Sequence, residues 1–309
     1  LIAPLFHSGF RCISFVGLMD VGFNPLLVPA GGFVHVDINP LVPGIAYPHA
    51  KTFGVKADVS EFLPILLPLL LQKHTKKSPS FKRSQPTTLV PKEGLIRPQF
   101  LMDVVQKIIV DGTEAVVLAE SGNSFAWATH FLRFNTSNRY RVSTAMGSMG
   151  HAVTGVTGTA LVKGNKAVAI VGDGAMLMNS EVNTAVKYKL PAVWIVLNDG
   201  RYNMCHQGMA TLGRKGADAI FPQVNFAMLA RALGADGIQV DREANLATAL
   251  QKALDSPEPF VVDVLIDPDL LAPSGGRNRT LKTQMSSTES ERGISFPAIS
   301  QSEALRERI

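Results

Sequence analysis

Cysteine is almost missing from this sequence: 309 residues contain two, Cys12 and Cys205. That leaves no room for a disulfide framework or a cysteine-ligated iron–sulfur cluster, and it suits a reducing, cytoplasmic setting. Long apolar runs are scarce as well. The run from Phe62 to Leu71 is too short to cross a bilayer and is broken by Pro64 and Pro68. Metal-binding histidine patterns are lacking, because His35, His130, His151 and His206 show no His-x-x-x-His spacing. No Gly-x-Gly-x-x-Gly stretch precedes Asp37, so a dinucleotide ribose at that acid has little sequence support.

Charge is modest, with 30 Lys and Arg against 25 Asp and Glu. Much of the excess is local. Lys73, Lys76, Lys77, Lys82, Arg83 and Lys92 are set among Ser, Pro and Thr without periodicity. That reads as a solvated linker over residues 73–94 rather than a nucleic-acid surface. Neither nucleic acid nor membrane is therefore expected as a partner. Apolar residues make up 46% of the chain, enough for a true core, and the length suits two domains.

Before the linker, Gly31 to Pro40 reads as a buried strand ending in a turn, and residues 60–71 as an apolar helix that its two prolines weaken. After it, strands and helices alternate. Strands are predicted at 115–119, 166–171, 192–197, 237–240 and 260–266. Helices are predicted at 98–110, 124–133, 151–162, 179–189, 225–233 and 243–253. Strands that are apolar throughout and separated by helices imply an α/β fold whose parallel sheet is covered on both faces. From Asp267 onward the sequence turns polar, and residues 268–309 read as a mobile tail.

Two strand ends carry the chemistry. The apolar stretch Ala167 to Val171 runs into Gly172-Asp173-Gly174-Ala175, and Val193 to Leu197 runs into Asn198-Asp199-Gly200. Each tripeptide taken alone is a common turn. Ligands in open parallel sheets bind beyond the carboxyl ends of strands, glycine lets a phosphate approach the backbone, and aspartate supplies hard oxygen to Mg2+. If the two strands are neighbours, Asp173 and Asp199 converge on one ion. Gly122, Asn123 and Ser124 follow another strand and stand where a helix begins. They suit either a phosphate or an ordinary helix cap. Ser143 to Gly150 is a glycine-rich loop with two methionines.

The order Gly-Asp-Gly, helix, strand, Asn-Asp, with Asn179 to Val186 and Leu190-Pro191 between, resembles the thiamine-diphosphate (ThDP) enzymes of the acetolactate synthase and 2-oxo-acid decarboxylase group. The resemblance runs from about Gly31 to about Asp267. It implies that Asp173 and Asp199 bind Mg2+ by side chain and Arg201 by its backbone oxygen. The family commonly has Asn where Asp199 stands, which changes the charge of the site but not its ligand type. Gly172, Gly174 and Ala175 would lie against the diphosphate, with Gly122, Asn123 and Ser124 beside it. Gly147, Ser148 and Met149 would form the loop under the bent cofactor, Met149 wedged between its rings, with Met146 as the other choice. His206 and Gln207 fall where the family's substrate pocket begins, while Cys205 is expected to be packed.

The family resemblance further implies a lyase or carboligase acting on a 2-oxo acid such as pyruvate, in a homodimer or homotetramer. Acetolactate synthase-like ligation comes first and plain decarboxylation second. A cofactor-binding fragment without turnover is the rival reading. Residues 1–72 resemble part of the family's central domain, where FAD is left open. Residues 95–267 resemble its cofactor domain. The chain starts with Leu1, and nothing in it resembles the family's pyrimidine-binding domain, so the activating glutamate is expected outside it and no catalytic residue is assigned.

Overall fold

The computed structural model describes residues 12–15, 32–44, 51–71, 89–143, 147–178, 181–211, 213 and 218–273. The chain divides at Gln85 and Pro86, inside the expected linker, into two compact units.

In the first unit, strands β1 (Cys12–Phe15), β2 (Phe33–Asp37) and β3 (Thr52–Lys56) pair in parallel in the order β1-β2-β3. Helix α1 (Val59–Leu71) follows. Pro64 and Pro68 do not end it. Phe62 and Leu66 on one side of the helix are buried with Val34 and Val36, and that packing holds the helix where propensity alone would not.

The second unit begins with α2 (Pro98–Val105), whose last turn widens into a π-helical stretch at Gln106–Val110. Then come β4 (Val116–Ala119), α3 (Asn123–Phe131), β5 (Tyr140–Val142), α4 (His151–Lys163) and β6 (Ala167–Gly172). A short helix α5 (Asp173–Met176) leaves β6 directly, followed by α6 (Glu181–Lys187) and β7 (Ala192–Asn198). The rest is α7 (Asn203–Thr211), α8 (Phe226–Ala232), β8 (Asp236–Val240), α9 (Glu243–Asp255) and β9 (Phe260–Leu265).

The six strands form one parallel sheet in the order β5-β4-β6-β7-β9-β8. Alternate residues of the apolar strands feed opposite cores, as the two-residue period of a strand requires. Val117, Val168, Ile170, Val193 and Ile195 pack with Leu101 of α2, Trp127 of α3 and Leu246 of α9. Val116, Ala167, Ala169, Trp194 and Val196 pack with Val153 of α4, Val182 of α6 and Phe226 of α8. Trp194 also donates its indole N–H to the carbonyl of Val153 at 2.8 Å, which satisfies its polar edge inside the core.

The chain after β4 moves outward to β5 and then returns to the other side of β4 as β6. That reversal opens a crevice at the carboxyl ends of β4 and β6, the place where open parallel sheets take ligands. One expectation is corrected. Residues 268–272, assigned to the tail, are part of this unit: the carbonyls of Pro268 and Leu270 accept from α7, and Ala272 is buried in the core. The polar composition of the residues beyond them concealed this, because Pro268 to Ala272 are themselves mostly apolar and attach largely through their backbone. Among the described residues no helix is long and apolar enough to cross a membrane.

Candidate functional site

The ends of β4, β6 and β7 share one cavity of about 500 Å3. Gly122, Asn123 and Ser124 line it from β4; Gly172, Asp173, Gly174 and Ala175 from β6; Asp199 and Arg201 from β7. Met149, just ahead of α4, lines it too and is 42% exposed. Gly147 and Ser148 do not line it; both are exposed, and Gly147 sits at φ +64°. Met146 lies outside the described residues, as do Asn179 and Ser180 of the family motif.

β6 and β7 are adjacent, with Gly172 opposite Leu197, so the two acidic strand ends meet. Asp173 is 2% exposed. One of its oxygens accepts from the N–H of Gly174 at 2.6 Å, the other from those of Gly200 at 2.6 Å and Asp199 at 3.0 Å. Asp199 accepts from the side-chain amide of Asn203 at 2.6 Å. Burial pushes both carboxyls up. Asp199, which also faces the charge of Asp173, is pushed up to about 7. The nearby guanidinium of Arg201 pairs with Asp269 at 3.1 Å. Two adjacent carboxyls, one buried and one partly buried, have the chemistry that suits a hard divalent cation, which would relieve both desolvation and repulsion. No group of three His, Cys, Asp or Glu that could hold a metal occurs among the described residues. An ion here would complete its shell from backbone, water and ligand oxygens, as Mg2+ does when it shares a phosphate-bearing ligand.

The facing wall suits the anion. Gly122 caps α3 at φ +100° with no side-chain cap, leaving the first-turn N–H groups without a side-chain acceptor among the described residues. A Cβ at Gly122 or Gly172 would meet nothing within 4 Å, so space lies open beside the backbone at both glycines. Gly174 is needed for another reason. A Cβ there would lie 2.5 Å from the ring of Tyr202, which packs on it.

Some side chains do other work than the sequence suggested. Neither Asn123 nor Ser124 caps α3. Ser124 is buried and its hydroxyl donates to the carbonyl of Glu120 at 3.0 Å, so its side chain shapes the loop rather than reaching outward. Gln207 is buried and structural, bonded to Leu270 and Ala272, whereas Cys205 is exposed and lines the cavity. Helix periodicity explains the exchange: Asn203 and Gln207, four apart, turn to the same side. At the end of β2, Asp37 accepts from the N–H of Asn39 at 2.7 Å.

Three residues that sequence reasoning missed support this site. Glu120, fully buried, accepts from Ala152 N at 2.9 Å, Val153 N at 3.1 Å and Ser121 N at 3.0 Å. It ties the β4 loop to the start of α4, beside Met149. Asp263, fully buried in β9, accepts from the amide of Asn198 at 2.8 Å and so braces the strand end that carries Asp199. Asn203 is the third. An isolated acid or amide in a strand or loop gives no sign of such partners, since they come from distant parts of the chain.

Two carboxyls and a helix N-terminus with no side-chain cap thus meet at the switch point of a parallel α/β sheet. Residues 120–264 match the family described as thiamine pyrophosphate enzyme, C-terminal TPP binding domain. The chain is 29% identical over 279 residues to IlvB2 of Mycobacterium tuberculosis (strain ATCC 25618 / H37Rv), to which the role of acetolactate synthase large subunit is ascribed; the match covers 86% of this chain and 49% of that one. It is 25% identical over 256 residues to the acetolactate synthase isozyme 1 large subunit of Escherichia coli (strain K12), covering 80% and 45%. The fold matches the Rhodococcus jostii RHA1 thiamine diphosphate-dependent 4-hydroxybenzoylformate decarboxylase with a TM-score of 0.67 and 22% identity, over 77% of this chain and 45% of that one. Residues 120–264 are therefore similar to the C-terminal TPP-binding domain of thiamine pyrophosphate enzymes, and the chain is similar along most of its length to acetolactate synthase large subunits. It spans about half the length of these relatives or less.

Proposed function

We propose that this chain is the diphosphate- and Mg2+-binding part of an acetolactate synthase-like enzyme that acts on a 2-oxo acid such as pyruvate, as a homodimer or homotetramer. The observation that carries the proposal is the pairing of Asp173 with Asp199 across adjacent strand ends. The names of the relatives favour carboligation over plain decarboxylation.

In this reading Asp173 and Asp199 hold the metal by side chain and Arg201 holds it by its backbone oxygen. Gly122 and Asn123 offer the N-terminus of α3 to the diphosphate, and Gly172, Gly174 and Ala175 bring backbone close to it. Met149 supports the bent cofactor from the α4 side. Bound ThDP supplies the nucleophilic carbon and the electron sink that the 20 side chains lack. The chain's own part is to anchor charge, fix orientation and hold the metal in a buried site.

Mn2+ titration followed by electron paramagnetic resonance, with ThDP supplied, tests this. Asp173→Ala is expected to weaken Mn2+ by more than about 100-fold, beyond the usual cost of losing an outer-shell partner. Wild-type affinity in that variant would overturn the proposal.

A further inference from the structure

Asn203, the first residue of α7, is 7% exposed, and its amide nitrogen is engaged twice. It donates to Asp199 Oδ2 at 2.6 Å and to the carbonyl of Pro268 at 2.9 Å. The Pro268 carbonyl can only accept, so the amide orientation is decided by chemistry: an inverted group would set oxygen against that carbonyl oxygen. Its own Oδ1 is buried without a hydrogen-bond partner among the described residues. A buried unpaired acceptor is a cost, accepted here while the donor side is fully used.

Pro268 is itself fixed. Ile266 N donates to Asn198 O at 3.1 Å and Asp267 N to Ile96 O at 2.9 Å, which pins the chain leaving β9 beside the end of β7. One turn along α7, Gln207 repeats the attachment with Leu270 O at 3.1 Å and Ala272 N at 3.3 Å. α7 is thus clasped to the segment after β9 by two amides, and the first of them also holds a carboxylate of the cavity.

We propose that Asn203 is a positioning residue for Asp199: it takes up Oδ2, fixes the rotation of the carboxylate and leaves Oδ1 for the cation. The proposal rests on the reading of Asp173 and Asp199 as a metal site. A neutral donor is the right partner, because it orients the carboxylate without competing for the ion as a cation would. Its tie to Pro268 makes the alignment depend on the segment after β9.

The test is Mn2+ binding to the full chain with ThDP present, read by electron paramagnetic resonance, with thermal unfolding followed in parallel. Asn203→Asp keeps size and shape but sets oxygen against Asp199 and Pro268; affinity is expected to fall roughly 10- to 100-fold, the usual cost of losing an outer-shell partner. Asn203→Ala should also weaken binding. Adding Asp199→Asn to Asn203→Asp exchanges donor and acceptor and should recover part of the loss, which a general packing defect would not. Wild-type affinity in Asn203→Asp, or a double variant that binds no better than Asn203→Asp alone, overturns the proposal. Asp173→Ala separates the two failures: if it too binds normally, the metal site is wrong, and if it alone is impaired, only the role of Asn203 is wrong.

Discussion

The carboxylate of Asp173 at the end of β6 is held by the backbone of β7's extension, accepting from Gly200 N at 2.6 Å and Asp199 N at 3.0 Å. One acid therefore organises the loop that carries the other. Asp173 is buried, Asp199 is partly buried, and the two are close, so the pair prefers to keep a proton or to bind a cation.

This preference has a pH signature. The carboxyl of Asp199 rises from 3.8 in the unfolded chain to about 7 in the fold. Between those values the folded state binds more protons, so this group's contribution to stability is full below about 4 and is lost as pH rises through 7. Without metal, wild type should lose urea resistance from pH 5 to pH 8 relative to Asp199→Asn, which carries no such group. Mn2+ affinity should move oppositely, falling about tenfold per pH unit below 7 as protons compete. A pH-independent Mn2+ affinity would contradict this account.

Met149 is 42% exposed at the cavity and contributes little to the core. Met149→Ala should change unfolding free energy by less than about 0.5 kcal/mol. In an assembled, active enzyme it should depress turnover while Mn2+ affinity stays at the wild-type level. Equal turnover in the two proteins would remove Met149 from the cofactor's support.

Glu120 satisfies three backbone N–H groups, one from the loop after β4 and two from the first turn of α4. Glu120→Ala strands the buried donors of Ala152 and Val153 and leaves the partly exposed one of Ser121 to solvent. It should destabilise the chain by about 2 kcal/mol or more in urea unfolding, at about 1–3 kcal/mol per buried unsatisfied group. Glu120→Gln keeps an acceptor and should cost clearly less. Similar costs for both would show that packing, not hydrogen bonding, gives Glu120 its weight.

The acids lining the cavity among the described residues are Asp173, Asp199 and Asp218. The first two face each other at the proposed metal. We expect the 309-residue chain alone, given ThDP and Mg2+, to release negligible CO2 from pyruvate. Robust release would mean that an acid of this chain activates the cofactor.

The sequence by itself determined the alternation of strands and helices, the parallel sheet and the two acidic strand ends. Each of these is written in local terms: apolar runs of strand length, helical periods between them, and Gly-Asp-Gly or Asn-Asp-Gly where a buried strand must stop. Helix α7 escaped because Asn203 to Thr211 is mostly polar or small, and it is held by contacts rather than by propensity. β5 escaped because three residues at a sheet edge carry too little pattern.

Only the tertiary structure decided which polar groups serve the site directly and which brace it. Ser124 and Gln207 look like ligand residues in the sequence and turn out to bond their own scaffold. Glu120, Asn203 and Asp263 look ordinary and hold the site's loops from behind. A buried hydrogen bond needs both partners within about 3 Å and aligned. When those partners lie 26 to 65 residues apart, as for Asp173 with Asp199 and for Asn198 with Asp263, folding alone brings them together.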